Sequence, residues 1–255
     1  MSRFIQIITA ILVMLGMMTL ASCSWQVSSS RHSENRITKS IKVRPFEIIK
    51  VASAATVHYE QGKDVSVRVE GDESDLKDFS ISSDGRTLVI ERRHNVFLGF
   101  VETGDVDVFV TSPDIVGVDF SGSGEFIADK HVDTDNLNIS IYGSGDVNFQ
   151  DVVCDHVKGT ITGSGDMSID NVLCSGAAFT CVGSGNIKAG VHRADEVNIL
   201  LQGSGDVDLE LKDCVSLSSD IQGSGDVKLS GNVRNLRKNV MGSGDYDTDN
   251  LRVEK

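Results

Sequence analysis

The chain is 255 residues long and carries 37 Asp and Glu against 24 Lys and Arg, a formal net charge of −13. That balance argues against nucleic acid as a partner, because phosphates are held by Lys and Arg. The length suffices for one elongated domain or two small ones.

In chain order, residues 1–22 read as a leader. Arg3 gives a positive start, Phe4 to Leu20 is apolar apart from Gln6, Thr9 and Thr19, and the run closes on Leu20-Ala21-Ser22-Cys23. This is the layout of a secretory signal, with an apolar core short of the roughly 20 residues that span a bilayer. The closing four residues resemble the lipobox of bacterial lipoproteins. The resemblance implies cleavage before Cys23, lipidation of its thiol and membrane attachment through that lipid; an ordinary signal ending beside a chance cysteine is the alternative. Each buried methylene contributes about 0.8 kcal/mol, so several acyl chains together hold permanently. Removing Arg3 with the leader leaves the mature chain one charge more negative.

Residues 23–43 are Ser-rich and polar and read as a tether. Ser24, directly after the cysteine, resembles the outer-membrane sorting pattern of Gram-negative lipoproteins, with the surface and periplasmic faces both open. Residues 44–121 are expected to form a β-rich cap and first coils. Strands are predicted at 46–51, 56–59, 65–69, 87–91 and 106–110, with turns at 61–63 and 83–85. The loop 95–103, holding Phe97, Leu98 and Phe100, either packs under the cap or makes an apolar tip.

From residue 122 a repeat dominates. Gly-Ser-Gly followed by an acid or amide begins at Gly122, Gly143, Gly163, Gly183, Gly203, Gly223 and Gly242, at spacings of 21, 20, 20, 20, 20 and 19. Around each mark apolar residues alternate with polar ones, the period of a strand with one buried face. Ile139, Ile141, Val147 and Phe149 share a parity with Gly143 and Gly145, so both glycines are expected inward, with Ser and Asp outward. Columns recur down the copies: Val147, Met167, Ile187, Val207 and Val227; Ile141, Ile161, Cys181, Leu201, Ile221 and Val240; and Val157, Ala177, Val197, Leu217 and Leu236. A unit of this length cannot bury itself and must stack on its neighbours. The expected fold is therefore all-β, a parallel single-stranded β-solenoid of about 20 residues per coil over 122–255, each coil rising about 4.8 Å. A right-handed path follows the general crossover preference; a propeller of small blades is the alternative.

Several segments outside the repeat carry a family resemblance. Phe46-Glu47-Ile48-Ile49, the hairpin-like Thr56 to Gly62, Thr87-Leu88-Val89-Ile90, Val106 to Pro113 and the repeated Gly-Ser-Gly-Asp together resemble the putative auto-transporter adhesin, head GIN domain family, over about residues 44–245. The resemblance implies β-rich surface or periplasmic lipoproteins and adhesion, and it supplies no catalytic residues.

The remaining residues hold little chemistry. His32, His58, His94, His131, His156 and His192 share no repeat column and read as solvated, and Cys154-Asp155-His156 lacks the further ligands of a closed zinc site. Cys154, Cys174 and Cys214 share one column, with Ala194 in the gap; buried free thiols or a Cys154–Cys174 bridge both fit the coil spacing. Enzymes built on solenoids use unequal loops that converge on a cleft. Spacing this even leaves no room for them, so no catalytic residues and no enzyme are expected. A polysaccharide-active enzyme and a periplasmic structural lipoprotein stand as alternatives to an adhesin-like surface whose partner is a glycan or a surface protein.

The candidate site is an outward strip. Asp146, Asp166, Asn186, Asp206, Asp226 and Asp245 should stack beside Ser144, Ser164, Ser184, Ser204, Ser224 and Ser243. Unit charges 4.8 Å apart repel by roughly 1 kcal/mol in water and more at lower dielectric. Either each Asp bonds to nearby Ser or backbone amides, with no cofactor at all, or Ca²⁺ bridges the row.

Overall fold

The structure, a computed structural model, describes residues 36–93 and 105–254. The leader, Cys23, the tether up to residue 35 with His32, His94 and the whole predicted loop 95–103 lie outside the described residues, while the end of the expected tether is ordered as a strand at Arg36–Ile41.

The first half supplies β1 (Arg36–Ile41), β2 (Ile48–Ala52), β3 (Thr56–Gln61), β4 (Ser66–Asp72), a single helical turn α1 (Glu73–Leu76), β5 (Phe79–Ser83), β6 (Thr87–Arg92), β7 (Asp107–Ser112), β8 (Gly117–Gly122) and β9 (Glu125–Asp133). The second half continues with β10 (Asn136–Gly143), β11 (Asp146–Val153), β12 (His156–Gly163), β13 (Met167–Leu173), β14 (Gly176–Gly183), β15 (Ile187–His192) and β16 (Glu196–Gly203), then β17 (Val207–Gly223), β18 (Val227–Gly242) and β19 (Tyr246–Val253). From β8 onward every pairing is parallel and joins strands one coil apart, as in β10 with β12 and β11 with β13. The result is a β-solenoid of about seven turns at roughly 20 residues per coil.

The stack does not follow chain order at its start. β2 lies between β6 and β8, and β3 between β7 and β9, so the coil β6–β7, though later in the chain than β2–β3, sits beneath it. Antiparallel strands then close the bottom: β5 pairs with β6, β4 with β7, and β1 with β4. A solenoid end would otherwise present the edges of β6 and β7 to any passing strand, and the cap covers these, leaving the short β5 and β1 as the outer strands.

The core is the continuous interior of the coils. Ile141, Ile161, Cys181, Leu201 and Ile221 are fully buried, as are Val147, Met167, Ile187, Val207 and Val227 to within 1%. Each such aliphatic contributes about 1.5–3 kcal/mol over exposure. Aromatics fill the wider lower coils, with Phe126 5.5 Å from Phe149 and 6.1 Å from Tyr59 between ring centroids. Volumes compensate within a column. Ile139, Gly159, Phe179, Ile199 and Ser219 stand in register, and the space beside Gly159 is taken by Met167 and Phe179. That column ends on a cation: Lys238 follows Ser219, with its Nζ 4.9 Å from the Tyr246 ring centre.

Both glycines of each mark were expected to face inward, and only the second does. Gly145, Gly165, Gly185, Gly205 and Gly225 are buried, whereas Gly143 and its successors lie at an outer corner. From Gly143 to Gly242 these corner glycines have φ between 120° and 146°, a region that a side chain rarely enters. Their shared constraint runs along the stack: a Cβ on Gly163 would overlap the carbonyl oxygen of Gly143, and one on Gly165 that of Gly145. Alternating parity alone could not separate an inward residue from one whose missing side chain would point at the next coil.

Candidate functional site

At each Gly-Ser-Gly-Asp corner the regular backbone ladder between coils is interrupted. The N–H of Ser164 donates downward to Gly143 O at 2.8 Å, and Gly165 N–H shares that oxygen at 3.1 Å. One residue past the corner the sense is opposite, because Met167 N–H donates upward to Asn186 O at 2.9 Å. Asp166 N–H faces the coil below with no backbone carbonyl to meet it, and a backbone donor needs an acceptor there. The Oδ1 of Asp146, one coil below, provides it at 3.0 Å.

The same device repeats up the edge. Asn186 N–H donates to Asp166 Oδ1 at 2.9 Å, Asp206 to Asn186 Oδ1 at 3.0 Å, Asp226 to Asp206 Oδ1 at 3.0 Å and Asp245 to Asp226 Oδ1 at 2.8 Å. Asn186 keeps the ladder while interrupting its charge, since its Nδ2 also donates to Asp166 Oδ1 at 3.0 Å. Glu125 breaks the pattern. Asp146 N–H goes instead to Gly124 O, and the longer Glu125 carboxylate accepts from Asn148 Nδ2 at 2.8 Å.

The structure thus brings Asp146, Asp166, Asp206, Asp226 and Asp245 into one row, as the spacing predicts, and attaches four of these carboxylates to amides of the coil above. Among the described residues no group of three or more His, Cys, Asp or Glu side chains is arranged to hold a metal ion. The beside-standing Ser144, Ser164, Ser204 and Ser224 are exposed, together with Ser184 and Ser243. On their other side a column of outward residues runs Tyr142, Thr162, Val182, Gln202, Gln222 and Met241 in register. Tyr142 and Met241 are each 53% exposed and Val182 38%, while Gln202 Nε2 reaches Gln222 Oε1 at 3.4 Å. This mixed apolar and amide column beside the hydroxyl row was not singled out in the sequence, although its strand parity was readable there.

Two histidines expected to be solvated have partners. His58 stacks on Phe109 at 4.7 Å and meets Asp107 at 3.2 Å, and His131 Nδ1 lies 2.5 Å from Asp151. The described cysteines, Cys154, Cys174, Cys181 and Cys214, are buried free thiols, and Ala194 is buried with them. The hydrogen-bonding contact with Cys154, together with burial, pushes the Cys174 thiol well above its usual range. Burial likewise raises Cys181 and Cys214. Thiols held in the neutral form are poor nucleophiles.

The chain matches the model of one protein family, described as putative auto-transporter adhesin, head GIN domain, over residues 45–215 and 177–255. Among solved structures it is similar to a putative adhesin of Bacteroides fragilis, with a TM-score of 0.73 and 23% identity over 84% of this chain and 97% of that one. It is also similar to a putative adhesin of Parabacteroides distasonis (TM-score 0.70, 19% identity, 84% and 96% covered). A putative lipid binding protein of the same species gives a TM-score of 0.66 at 21% identity, with 85% and 98% covered. At these identities the likeness establishes the fold. No curated protein matches the chain. Because the family match runs through both the antiparallel cap and the GSGD coils, the chain belongs to the putative auto-transporter adhesin, head GIN domain family.

Proposed function

We propose that the protein is an exported lipoprotein, anchored through Cys23, that displays its solenoid as an adhesin-like, non-catalytic binding surface on the outer membrane. The observation that carries this reading is the unbroken outer edge. Seven successive corners are spaced at 19–21 residues with no inserted loop, so exposed hydroxyls, amides and the side chains of Tyr142, Val182 and Met241 form an extended strip rather than a cleft. Extended surfaces of this composition suit a polar macromolecular partner, a glycan or a surface protein, whereas small-molecule chemistry favours enclosed sites.

Protease or antibody access on intact cells is the deciding experiment. Cleavage of the domain without membrane permeabilisation is the expected result, and protection until the outer membrane is opened would instead favour a periplasmic structural role. Given access, Tyr142→Ala combined with Val182→Ser should reduce attachment of the purified domain to its target surface while leaving the melting temperature within a few degrees.

A further inference from the structure

The strands that carry Tyr142 and Val182 near one end hold a groove near the other. Asn138, Lys158, Ala178 and Asn198 stand in one outward column, and His156, Gly176 and Glu196 stand in register beside it. On β14 both positions are small, so Gly176 and Ala178 form a floor between longer side chains of the coils below and above. The groove encloses about 450 Å³. The His156 imidazole leans over this floor, where a Cβ on Gly176 would meet its Cδ2 at 2.8 Å.

Charge in the groove is mixed. Lys158 stands against Asp195 and Glu196, an excess of one carboxylate with His156 neutral, in a chain of net charge −13. Among the described residues, Lys158 and Asp195 form no ion pair, and Glu196 accepts from Asn198 Nδ2 at 2.9 Å. The walls therefore offer amide and ammonium donors next to carboxylate acceptors, with no positive excess to draw an anion. A sugar hydroxyl both donates and accepts, and a wall carrying both kinds of group satisfies both of its roles.

We infer that this groove binds a segment of neutral oligosaccharide lying along β14. Asn138, Lys158 and Asn198 donate to its hydroxyl oxygens, Asp195 and Glu196 accept its hydroxyl protons, and the Ala178 methyl and the His156 ring meet its C–H face. From Gly176 to Val182 the strand covers about 20 Å at roughly 3.3 Å per residue. Its outward side chains beyond the groove are Thr180 and Val182, so the sugar chain runs on to the exposed strip. A purely apolar ligand would strip water from these polar groups without replacing it, and an acidic sugar would face the excess carboxylate. A peptide adding as a strand needs a free sheet edge, whereas β14 is paired along its length with β12 and β16. The inference rests on the binding reading above and names its ligand class.

Calorimetric titration of the full chain, in a detergent without a sugar headgroup, tests it with cello-, chito-, manno- and xylo-oligosaccharides and with oligouronates of equal length. At least one neutral series should bind, roughly tenfold or more tighter than the uronates, and with little dependence on NaCl because the ligand has no charge to screen. Ala178→Leu, which fills the floor at a half-buried outward position, should weaken that binding roughly tenfold or more. Asn138→Ala with Asn198→Ala leaves the floor intact, should lower affinity in the same direction, and serves if the leucine disturbs the strand. Lys188→Gln, on another face of the coil, should leave affinity unchanged. No binding by any neutral series, uronates bound as tightly, indifference to both groove variants, or an equal loss in Lys188→Gln would each overturn the inference. If no oligosaccharide binds while Tyr142→Ala with Val182→Ser still abolishes surface attachment, this inference falls and the adhesin-like reading stands. Oligosaccharide binding in a domain that stays protected on intact cells would keep the groove's ligand and remove the surface reading.

Discussion

Gly163 and Gly165 meet the same requirement in two ways. Gly165 is buried and Gly163 lies at the corner with φ 139°, yet a Cβ on either would collide with a carbonyl oxygen of the coil below. Gly203 repeats the corner geometry at φ 135°. We expect Gly163→Val or Gly203→Val to cost several kcal/mol, through the forced backbone and the displaced coil, against less than about 1 kcal/mol for the exposed Ser164→Ala. Urea denaturation of the three variants checks this, and equal tolerance would refute the close-approach argument. Asp166 belongs to the same corner but acts through its acceptor. Asp166→Ala strands the Asn186 N–H and should cost about 1–2 kcal/mol, while Asp166→Asn should cost less than half as much, because Asn186 already performs this role for Asp206. Tyr59 gives a pH dependence. Burial, the largest influence, raises its pKa from 10.0 to about 12, with the Ser112 hydroxyl 3.1 Å away. The unfolded chain therefore releases this proton first. The tyrosine's contribution is fully present below pH 10 and is lost as pH rises from 10 towards 12, up to roughly 2–3 kcal/mol. Tyr59→Phe should lose less stability between pH 9 and 11 than the native chain does.

At the scale of elements, the two ends of the stack are protected differently. At the bottom, antiparallel β4 and β5 cover β7 and β6. At the top, among the described residues, the second half of β18 and all of β19 pair on one side, and Lys238 occupies an interior column whose lower members are Ile199 and Ser219. Lys238 is itself exposed at this open end, and a charge at a sheet edge discourages another strand from adding. Lys238→Leu should therefore increase self-association, read as a concentration-dependent rise in sedimentation coefficient, with little change in the melting of the coils below. No concentration dependence would show that the lysine is not what keeps this end single. The strands themselves were legible from period-two alternation, and the Val147 column and the Ile141 column as far as Ile221 are buried as read, whereas Val240, expected at the end of the latter, is 37% exposed on the open last coil. What alternation missed, the corner glycines and the paired His58 and His131, depends on contacts between residues far apart in the chain or on the direction of a missing side chain.

At the scale of the molecule, attachment and display are separable. Cys23→Ala should move the exported chain from the membrane fraction to the soluble one, since the acyl chains would be its principal hold on the bilayer; persistence in membranes would refute the anchor. The repeat of 19–21 residues and its alternating parity were enough to specify stacked parallel coils, because a unit that short cannot bury its own apolar face and identical neighbours can bury it only in register. The same repeat also placed Asp146 through Asp245 in one row. Sequence could not say what those carboxylates do: their role as acceptors for the next coil's N–H exists only where the corner leaves that N–H without a backbone carbonyl, a property of the closed coil. The insertion of β2 and β3 between β6–β7 and β8–β9 was equally hidden, because which strand a parallel edge accepts is decided by burial across the assembled stack.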